Sequence, residues 1–465
     1  MLQCAAFFLV MEACFHHQVF SKFIRLLVLA VKQIRVGICG LGTLGGGTLR
    51  VIQQNGTDID ARTRSEVRVV HVGARNPKPD YDLTGIQVSK DIFDVVKDPN
   101  VDLVVETIGG MEPAKSLVLE AIANGKDVVT ANKALIAVHG NELFEAAEKF
   151  GVTIAFEAAV AGAIPVIRSL RDGLSGNQIN ELAGIINGTG NFILTEMRDH
   201  GRAYEDVLKE AQELGYAEAD PTFDVEGIDA AHKLCILASI AYGIPLSFDE
   251  VYTEGISKIQ KTDVVFAQEL GYRIKHLGIA KQTESGIELR VHPTLIPETV
   301  LLASVEGVMN AVWVDGNAAG PTLYYGAGAG ALPTASSIVS DIVEIARNRQ
   351  SGAGALIPPL GVDIANQKNV PLLPINECKT AFYLSITAKD EPGVMLAITQ
   401  VLTEAGVSID AIIQKEAEGD SIHVPIALIT STALESVLQS AVEKIESLDD
   451  IVEPVVRFRV EDLEA

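Results

Sequence analysis

The sequence predicts an α/β protein of about three domains, and three observations support this class. The chain has 465 residues, and domains of about 150 residues are typical. A G-x-G-x-x-G turn with glycines at positions 40, 42 and 45 stands between a short apolar run and a helical segment, as at the start of a β-α-β unit. Residues 381–460 follow the order strand, helix, strand, strand, helix, strand of a ferredoxin-like split unit.

Composition excludes several classes of function. The chain has 37 Lys and Arg against 61 Asp and Glu, a formal charge of −24, whereas a protein that binds nucleic-acid phosphates needs the opposite sign. The five cysteines form no C-x-x-C pair and stand near no histidine cluster, which argues against a disulfide framework and a zinc site. We therefore expect a globular protein of the reducing cytoplasm.

The first 33 residues differ from the rest of the chain. They are apolar, but Glu12, Lys22 and Arg25 interrupt them, so no uncharged run reaches the roughly 20 residues that span a bilayer. No basic region precedes the first apolar run, as it would in a secretory signal. We expect residues 1–33 to be an N-terminal extension outside the fold, from an upstream start; a targeting or membrane-associating role is the alternative.

Residues 34–150 are expected to form a Rossmann-type nucleotide-binding domain. The strand Ile34–Cys39 leads into the glycine turn and a helix over Thr48–Gln53. Glycine is needed there because the backbone approaches a pyrophosphate held at the helix N-terminus. The strand Val67–Val72 ends near two cations.

Those cations, Arg75 and Lys78, bear on the choice of cofactor. An acidic residue after this strand would favour the free ribose of NAD, whereas two cations suit the 2′-phosphate of NADP. The sequence therefore indicates NADP, with NAD as the second cofactor. The alternative is that both cations belong to a solvated loop.

Two further strands deliver small and charged residues to the same sheet edge. The strand Val101–Glu106 ends in the small-residue turn 107–110, followed by a helix over Ala114–Asn124. The strand Asp127–Thr130 then brings Lys133 to that edge. Lys133 is a candidate site residue; an ordinary surface cation is the alternative.

The chain after residue 151 carries two small-residue loops. The strand Val152–Phe156 precedes the loop Glu157–Pro165, and a helix is expected from Pro165. Such loops expose backbone carbonyls, the hard ligands that simple cations prefer, although tight packing is the alternative. The segment Asn187–Phe192 is expected to cap a helix or anchor a small polar ligand.

The acidic loop 215–224 precedes a helix predicted over residues 227–242. Residues 234–243 carry no charge, so this helix should be buried, yet Asp229 and Lys233 lie one turn apart on one of its faces. A buried lysine is tolerated when it is paired or useful, so Lys233 is a candidate acid/base for hydride transfer. An exposed pair, worth about 0.3–0.5 kcal/mol, is the alternative.

These segments together resemble the homoserine dehydrogenases, in order, over residues 34–350. The motifs that carry the resemblance are Gly40–Gly45, Ile108–Gly110, Thr130–Ala134, Glu157–Pro165, Asn187–Thr189, Gly215–Glu218, Asp229–Lys233 and Gly326–Gly330. The resemblance implies reversible NAD(P)-dependent interconversion of L-homoserine and L-aspartate 4-semialdehyde, an oxidoreductase step of threonine, methionine and isoleucine biosynthesis.

The resemblance also implies roles for individual residues. Lys233 would exchange the proton with the substrate oxygen, and Lys133 would be a second catalytic lysine. Substrate would be bound by Glu218, Asp229, Asp224 and Thr189. The cofactor would be bound by Gly40, Gly42, Thr43, Leu44, Gly45, Arg75, Lys78, Thr107, Gly109, Lys133, Gly215 and Gly330. A monovalent cation, typically sodium, would be bound by Glu157, Val160, Gly162 and Ile164.

The resemblance further implies the domain boundaries. Residues 151–330 would form an α+β substrate and dimerisation domain, and a helix over about 331–350 would complete the nucleotide domain. Residues 351–378, rich in Pro and Gly, are expected to form a linker. The partners expected are a small amino-acid substrate and a second copy, as a dimer or tetramer, with no nucleic acid and no membrane.

The C-terminal segment 379–465 is strongly acidic, with 6 basic and 16 acidic residues. The turn from Asp390 to Gly393 precedes its first helix, whose free N–H groups can hold the carboxylate of an amino acid. The segment resembles an ACT domain, which makes threonine the expected effector; a domain that only dimerises is the alternative.

Two other functions remain open at this point. One is a catalytically silent amino-acid sensor on a nucleotide-binding scaffold, which the presence of Lys133, Asp229 and Lys233 together disfavours. The other is a different NAD(P) enzyme that acts on a small amino acid or semialdehyde.

Overall fold

The computed structural model describes residues 32–75, 81–352, 357–415 and 423–463. Residues 1–31, most of the expected N-terminal extension, lie outside these ranges, and so does Lys78. The last two residues of that extension belong to the first strand. Within the described ranges, no helix is long and apolar enough to cross a bilayer.

The first unit is a six-stranded parallel sheet with helices on both faces. Its elements are β1 (Lys32–Cys39), α1 (Thr43–Gln54), α2 (Gly56–Thr63), β2 (Ser65–Gly73), β3 (Gln87–Ser89), α3 (Phe93–Lys97), β4 (Leu103–Glu106), α4 (Ala114–Ala123), β5 (Asp127–Thr130), α5 (Lys133–Phe150) and β6 (Ile154–Ala155). The strand order is β3-β2-β1-β4-β5-β6. Every residue of β4 and β5 is buried, as expected for parallel strands covered on both faces. The order reverses beside β1, which places a ligand crevice at the carboxyl ends of β1 and β4.

The second unit is an antiparallel sheet of five long strands in the order β12-β11-β7-β9-β10. Its elements are α6 (Val166–Arg168), β7 (Ile179–Ile185), α7 (Gly188–His200), α8 (Tyr204–Glu213), α9 (Thr222–Val225), α10 (Ile228–Tyr242), β8 (Tyr252–Thr253), α11 (Lys261–Glu269), β9 (Tyr272–Gln282), β10 (Ile287–Pro297), β11 (Met309–Gly316), β12 (Gly320–Ala327) and α12 (Ala331–Ser351). Helix α10 lies between this sheet and α5. Its position connects the cores of the first two units.

Helix α12 returns the chain to the first unit and packs against α1. A methyl group added at Gly47 of α1 would lie 2.5 Å from the carbonyl oxygen of Ala331, so only glycine allows this approach. Residues of α12 such as Ile338 and Ile342 fill the core on that face of the parallel sheet.

One local expectation is wrong in extent. The strand expected over 152–156 is reduced to the two residues of β6, which pair only with β5 at the edge of the sheet. The helix expected from Pro165 begins at Val166 as α6 and continues as a π-helical turn over Ser169–Gly173. The nitrogen of Leu174 donates to the carbonyl of Ser169, five residues earlier, at 2.8 Å, as in a π-helix.

The third unit has the predicted βαββαβ order. Its elements are β13 (Leu372–Leu373), β14 (Lys379–Lys389), α13 (Val394–Glu404), β15 (Ile409–Gln414), β16 (His423–Thr430), β17 (Ala433–Leu434), α14 (Glu435–Glu446) and β18 (Val456–Val460). The sheet order β18-β14-β16-β15 is antiparallel, and α13 and α14 share one core against it. The α/β fold class with a nucleotide-binding first unit and a ferredoxin-like third unit is confirmed.

The sheets of the second and third units are continuous. Strand β18 pairs in parallel with β10 through Thr294 with Arg459 and Leu295 with Val460. Strands β13 and β8 pair with the same strand β10. The third unit is therefore joined to the sheet that supports α10.

Candidate active site

The glycine turn after β1 is closed by backbone and side-chain contacts. Gly40 has φ +96°, a left-handed conformation that favours glycine, and its nitrogen donates to the carbonyl of Gly73 at 2.9 Å. A methyl group on Gly45 would lie 1.9 Å from the carbonyl oxygen of Gly40, whereas one on Gly42 would meet nothing within 4 Å. The hydroxyl of Thr107 donates to the Gly40 carbonyl at 2.8 Å and so ties β4 to the turn.

A cavity of about 900 Å³ opens at this turn. The predicted cofactor residues that line it are Gly40, Gly42, Arg75, Thr107 and Gly109. Thr43, Leu44 and Gly45 form the first turn of α1 beside it. The open space above Gly42 and the helix N-terminus behind it fit the pyrophosphate of a dinucleotide.

One cation of the cavity is not predicted from the sequence. Lys90 follows the three-residue strand β3 and lines the cavity together with Arg75 and Asp91. Two cations, Arg75 and Lys90, therefore line the cavity. The only sequence signal for Lys90 is its place after β3, a strand too short to recognise from periodicity.

The ends of β4 and β5 are joined by the buried carboxylate of Glu106. Its Oε1 accepts hydrogen bonds from the nitrogens of Ile108 and Gly109 at 2.8 and 3.2 Å, and its Oε2 accepts one from the hydroxyl of Thr130 at 2.5 Å. The side chain of Asn132 then caps α5 by accepting a hydrogen bond from the nitrogen of Leu135 at 3.1 Å. These contacts fix the start of α5, whose first residue is Lys133.

The two candidate lysines bind the same carboxylate. Asp229 Oδ1 lies 2.9 Å from Nζ of Lys133, and its Oδ2 lies 2.7 Å from Nζ of Lys233. The Lys233 ammonium also donates to the carbonyl of Ile186 at 2.6 Å. Asp229 and Lys233 are both buried, so the exposed pair considered as an alternative is absent from this helix.

Burial and charge act in opposite directions on these groups. Burial raises the pKa of Asp229, but the two lysines beside it hold that pKa well below its usual value. Burial and the charge of Lys133 lower the pKa of Lys233, against the opposing effect of Asp229. For Lys133, burial lowers the pKa, but the charge and hydrogen bond of Asp229 together with the charges of Asp224 and Glu218 outweigh burial, so the pKa is raised. The cluster therefore places a lysine whose pKa is lowered beside one whose pKa is raised.

The segment after β7 meets the same cluster. Nδ2 of Asn187 donates to Asp224 Oδ1 at 2.8 Å and to Asp229 Oδ2 at 2.9 Å. Its Oδ1 accepts the nitrogen of Gly190 at 2.7 Å and caps α7. The Thr189 hydroxyl donates to the carbonyl of Tyr216 at 2.7 Å, which ties α7 to the acidic loop.

An aromatic stack lies behind Lys133 and is not predicted from the sequence. The ring of Phe223 is 5.5 Å from Nζ of Lys133, within cation–π distance. The His232 ring stacks on the Phe248 ring, with 4.2 Å between the ring centroids, and its centroid lies 5.6 Å from that of Phe223. Burial lowers the pKa of His232 to about 4, so this histidine is neutral at pH 7.

Other predicted residues lie around this cluster or apart from it. Glu218 and Gly215 are exposed on the loop after α8, and the charge of Glu218 acts on Lys133. Gly330, at φ +124°, precedes α12. Lys133, Gly215 and Gly330 lie outside the lining of the 900 Å³ cavity. Asp390 and Gly393 are exposed before α13, where Gly393 has φ +103°.

The carboxylate of Glu157 caps α6. It accepts hydrogen bonds from the nitrogens of Ile167 and Arg168 at 2.9 and 3.0 Å, and burial raises its pKa to about 7. Ala161 and Gly162 both have positive φ, and the Gly162 carbonyl accepts a hydrogen bond from Ser337 at 2.7 Å. In the described part of the chain, no group of three or more His, Cys, Asp or Glu could hold a metal ion. A cation here would depend on backbone carbonyls.

Three family models match the chain. The model for the NAD-binding domain of homoserine dehydrogenase matches residues 40–157, and the homoserine dehydrogenase model matches residues 165–343. The ACT domain model matches residues 382–450. Together these matches span the three units of the fold.

Curated relatives and solved structures agree with the family models. The chain is 58% identical over 433 residues to homoserine dehydrogenase of Pseudomonas aeruginosa, covering 93% of this chain and 100% of that protein. It is 49% identical over 434 residues to homoserine dehydrogenase of Neisseria gonorrhoeae, with coverage of 93% and 100%. The crystal structure of a homoserine dehydrogenase from Thiobacillus denitrificans is similar with a TM-score of 0.89 and 55% identity, covering 93% of this chain and 99% of that chain. A hyperthermophilic archaeal homoserine dehydrogenase in complex with NADPH is similar with a TM-score of 0.58 and 28% identity, covering 67% and 97%.

Proposed function

The chain belongs to the homoserine dehydrogenase family, and on that premise we propose that it interconverts L-homoserine and L-aspartate 4-semialdehyde with NADP as its preferred cofactor. As an NAD(P)-dependent oxidoreductase it is not the silent sensor considered as an alternative. We place the reaction in threonine, methionine and isoleucine biosynthesis. The observation that carries the proposal is the carboxylate of Asp229 held between two lysine ammonium groups.

Lys233 is the proposed acid/base. The bound cofactor supplies the hydride acceptor, and Lys233 accepts the hydroxyl proton of homoserine as the carbonyl forms. A buried lysine whose pKa is lowered can be neutral near working pH, and its ammonium form returns the proton in the reverse direction. Asp229 and the Ile186 carbonyl hold its Nζ in place.

The remaining charged groups are assigned to binding. Lys133 stays cationic because of Asp229, so it lowers the pKa of Lys233 and attracts the substrate oxygen. Asp224 and Glu218 both act electrostatically on Lys133, which supports a common site where carboxylates bind the homoserine ammonium group. We assign Thr189 to the same site because it ties α7 to the acidic loop.

Formation of NADPH from NADP⁺ and L-homoserine tests the proposed reaction. We expect the purified chain to form NADPH in proportion to homoserine consumed and to oxidise NADPH with L-aspartate 4-semialdehyde. Turnover of another amino alcohol at a higher kcat/KM than homoserine would contradict the proposed substrate.

The proposed preference for NADP is supported by Arg75 and Lys90, which both line the cavity. The archaeal relative whose complex contains NADPH adds to this support. We expect Arg75→Ala and Lys90→Ala each to lower kcat/KM for NADP about tenfold or more and to change kcat/KM for NAD little. Lys209→Ala, at an exposed position on α8, is the matched control. An equal loss with both cofactors would contradict the assignment.

A monovalent cation, with sodium as the first candidate, is proposed in the loop of Glu157, Val160, Gly162 and Ile164. Backbone oxygens would be its ligands, because the Glu157 carboxylate already caps α6. The support is the turn of positive φ at Ala161 and Gly162, since alanine adopts φ +54° only where the surroundings require it. In a buffer whose only cation is choline, added NaCl should raise activity more than added choline chloride does. Equal activity with the two salts would reject the proposed cation site.

The ACT domain is proposed to bind threonine at the turn from Asp390 to Gly393, before α13. Its support is the left-handed Gly393 at the N-terminus of that helix, where no side chain caps the first turn. Equilibrium binding of threonine to the full chain tests this proposal. Absence of binding would reject the sensor role and leave the dimerising domain as the alternative.

A cytoplasmic location and a homodimer or homotetramer complete the proposal. The described cysteines Cys39, Cys235 and Cys378 are buried free thiols, as is usual in a reducing compartment. Molar mass by light scattering tests the oligomeric state; a monomer at working concentration would contradict it.

A further inference from the structure

We propose that Asn187 is a positioning residue that holds the carboxylates of Asp224 and Asp229 in one arrangement beside the two lysines. The inference rests on the proposed function, because those carboxylates are the ones assigned to the lysine cluster and to substrate. Its physical basis is the amide group of Asn187, which is 5% exposed.

Every donor and acceptor of this amide is used. One N–H of Nδ2 points to Asp224 Oδ1 at 2.8 Å and the other to Asp229 Oδ2 at 2.9 Å. The nitrogen of Gly190 donates to Oδ1 at 2.7 Å, which fixes the orientation of the amide because a flipped group would face that N–H with its own NH₂. The assignment of the two donors to the two carboxylates therefore follows from the helix cap.

The amide connects three separate elements. Asn187 precedes α7, Asp224 lies in α9 and Asp229 lies in the first turn of α10. The turn between α9 and α10 passes through Gly227 at φ +85°, where a methyl group would lie 3.0 Å from Val291 and 3.2 Å from His276. Two carboxylates on adjacent helices repel each other, and an amide that donates to both opposes that repulsion.

The groups that face Asp224 give the expected sign of a pH effect. Asp229 and Lys233 face it from α10, Lys133 faces it from α5, and Asn187 donates to it. Burial raises the pKa of Asp224, and the hydrogen bond from Asn187 lowers it. Removal of the amide donors should therefore raise this pKa further.

Two substitutions of Asn187 distinguish its proposed role in positioning the carboxylates from its role as the N-cap of α7. Asn187→Ala removes the cap and both donors, whereas Asn187→Ser keeps a hydroxyl that can accept the Gly190 N–H but cannot donate to two carboxylates. We expect Ser to regain the unfolding temperature that Ala loses. We expect both variants to lower kcat/KM for homoserine at least tenfold and to move the acidic limb of its pH profile to higher pH.

If Asn187→Ser has the wild-type kcat/KM, pH profile and unfolding temperature, the proposal is overturned. Asn187 would then serve only as the N-cap of α7. Crystal structures of wild type and Asn187→Ser separate this failure from that of the proposed function, since they need no turnover. Displaced carboxylates of Asp224 or Asp229 in the variant support positioning even if the substrate is not homoserine. Unchanged carboxylates overturn it even if homoserine is the substrate.

Discussion

At the scale of single residues, the buried lysine Lys233 is stabilised by one carboxylate and one carbonyl. Removing an ammonium group from water costs several kcal/mol, so a buried lysine needs close partners, and Asp229 and Ile186 lie within 2.7 Å of its Nζ. Asp229 divides its charge between Lys133 and Lys233. One carboxylate therefore compensates two ammonium groups incompletely, which favours loss of a proton from the more buried one.

Substitution of Lys133 should move the pH dependence of activity. Under the mechanism proposed above, the neutral form of Lys233 is the active one in homoserine oxidation, so we expect kcat to rise with pH through the pKa of Lys233. Lys133→Met removes a positive charge that lowers this pKa, and the Lys233 pKa should rise. We expect the rise of kcat to occur about one pH unit higher, beside an overall loss of rate. A profile that stays in place or moves to lower pH would contradict the charge coupling.

The sequence predicts residues of the lysine cluster only where their spacing along the chain implies that they are neighbours. Asp229 and Lys233 are neighbours by the helical repeat, and Lys133 follows a strand whose carboxyl end faces the cofactor edge. The double donation by Asn187 and the ring of Phe223 over Lys133 depend on contacts between residues 37 or more positions apart along the chain. No local pattern encodes such contacts.

At the scale of elements, the turn between β1 and α1 combines two glycines with different requirements. Gly45 packs against the Gly40 carbonyl, whereas Gly42 has open space and φ −81°, which any residue adopts. Glycine at position 45 therefore serves the fold, and glycine at position 42 leaves room for the cofactor.

The pair Gly42→Ala and Gly45→Ala tests this division. Gly42→Ala should keep the wild-type unfolding temperature and raise the Kd for NADPH about tenfold or more, because the new methyl group occupies cofactor space. Gly45→Ala should lower the unfolding temperature, since its methyl group clashes with backbone. NADPH binding and thermal unfolding are the two measurements, and unchanged NADPH affinity in Gly42→Ala would refute the placement of the cofactor.

Sequence periodicity succeeds for elements with one strong pattern. Helix α10 is predicted within a residue of its observed ends because its uncharged run is long and glycines flank it. The strand β6 is overestimated because its length depends on a tertiary contact, its pairing with β5 at the edge of the sheet.

At the scale of the whole molecule, the third unit extends the sheet that supports the lysine cluster. Arg459 of β18 lies at this junction and is 2% exposed. Its guanidinium binds Glu435 of the third unit at 2.7 and 2.9 Å and Glu254 of the second unit at 2.9 Å. The Glu254 carbonyl lies 2.9 Å from Nε2 of His276, beside the Gly227 turn before α10.

The sequence does not predict this junction. The pairing of β10 with β18 is short, parallel and about 165 residues apart along the chain, and neither strand shows by its own pattern which edge it will meet. A boundary predicted from composition separates the two units in sequence, whereas the structure joins them through one sheet.

Loss of Arg459 should destabilise the molecule more than loss of its neighbour. Arg459→Ala leaves the buried Glu435 with only the 3.3 Å contact to Arg457, at an expected cost of about 3 kcal/mol in the free energy of unfolding. Arg457→Ala, the matched control, removes that longer and more exposed contact and should cost about 1 kcal/mol or less. Denaturant unfolding compares the two; equal losses would contradict the role of Arg459 at the junction.

The proton exchange proposed for Lys233 is tested by kcat for homoserine oxidation by the Lys233→Ala variant. We expect kcat to fall about 10²- to 10⁴-fold, with NADPH affinity and unfolding temperature close to those of the Lys209→Ala control. A Lys233→Ala variant that keeps the kcat of that control would contradict the claim.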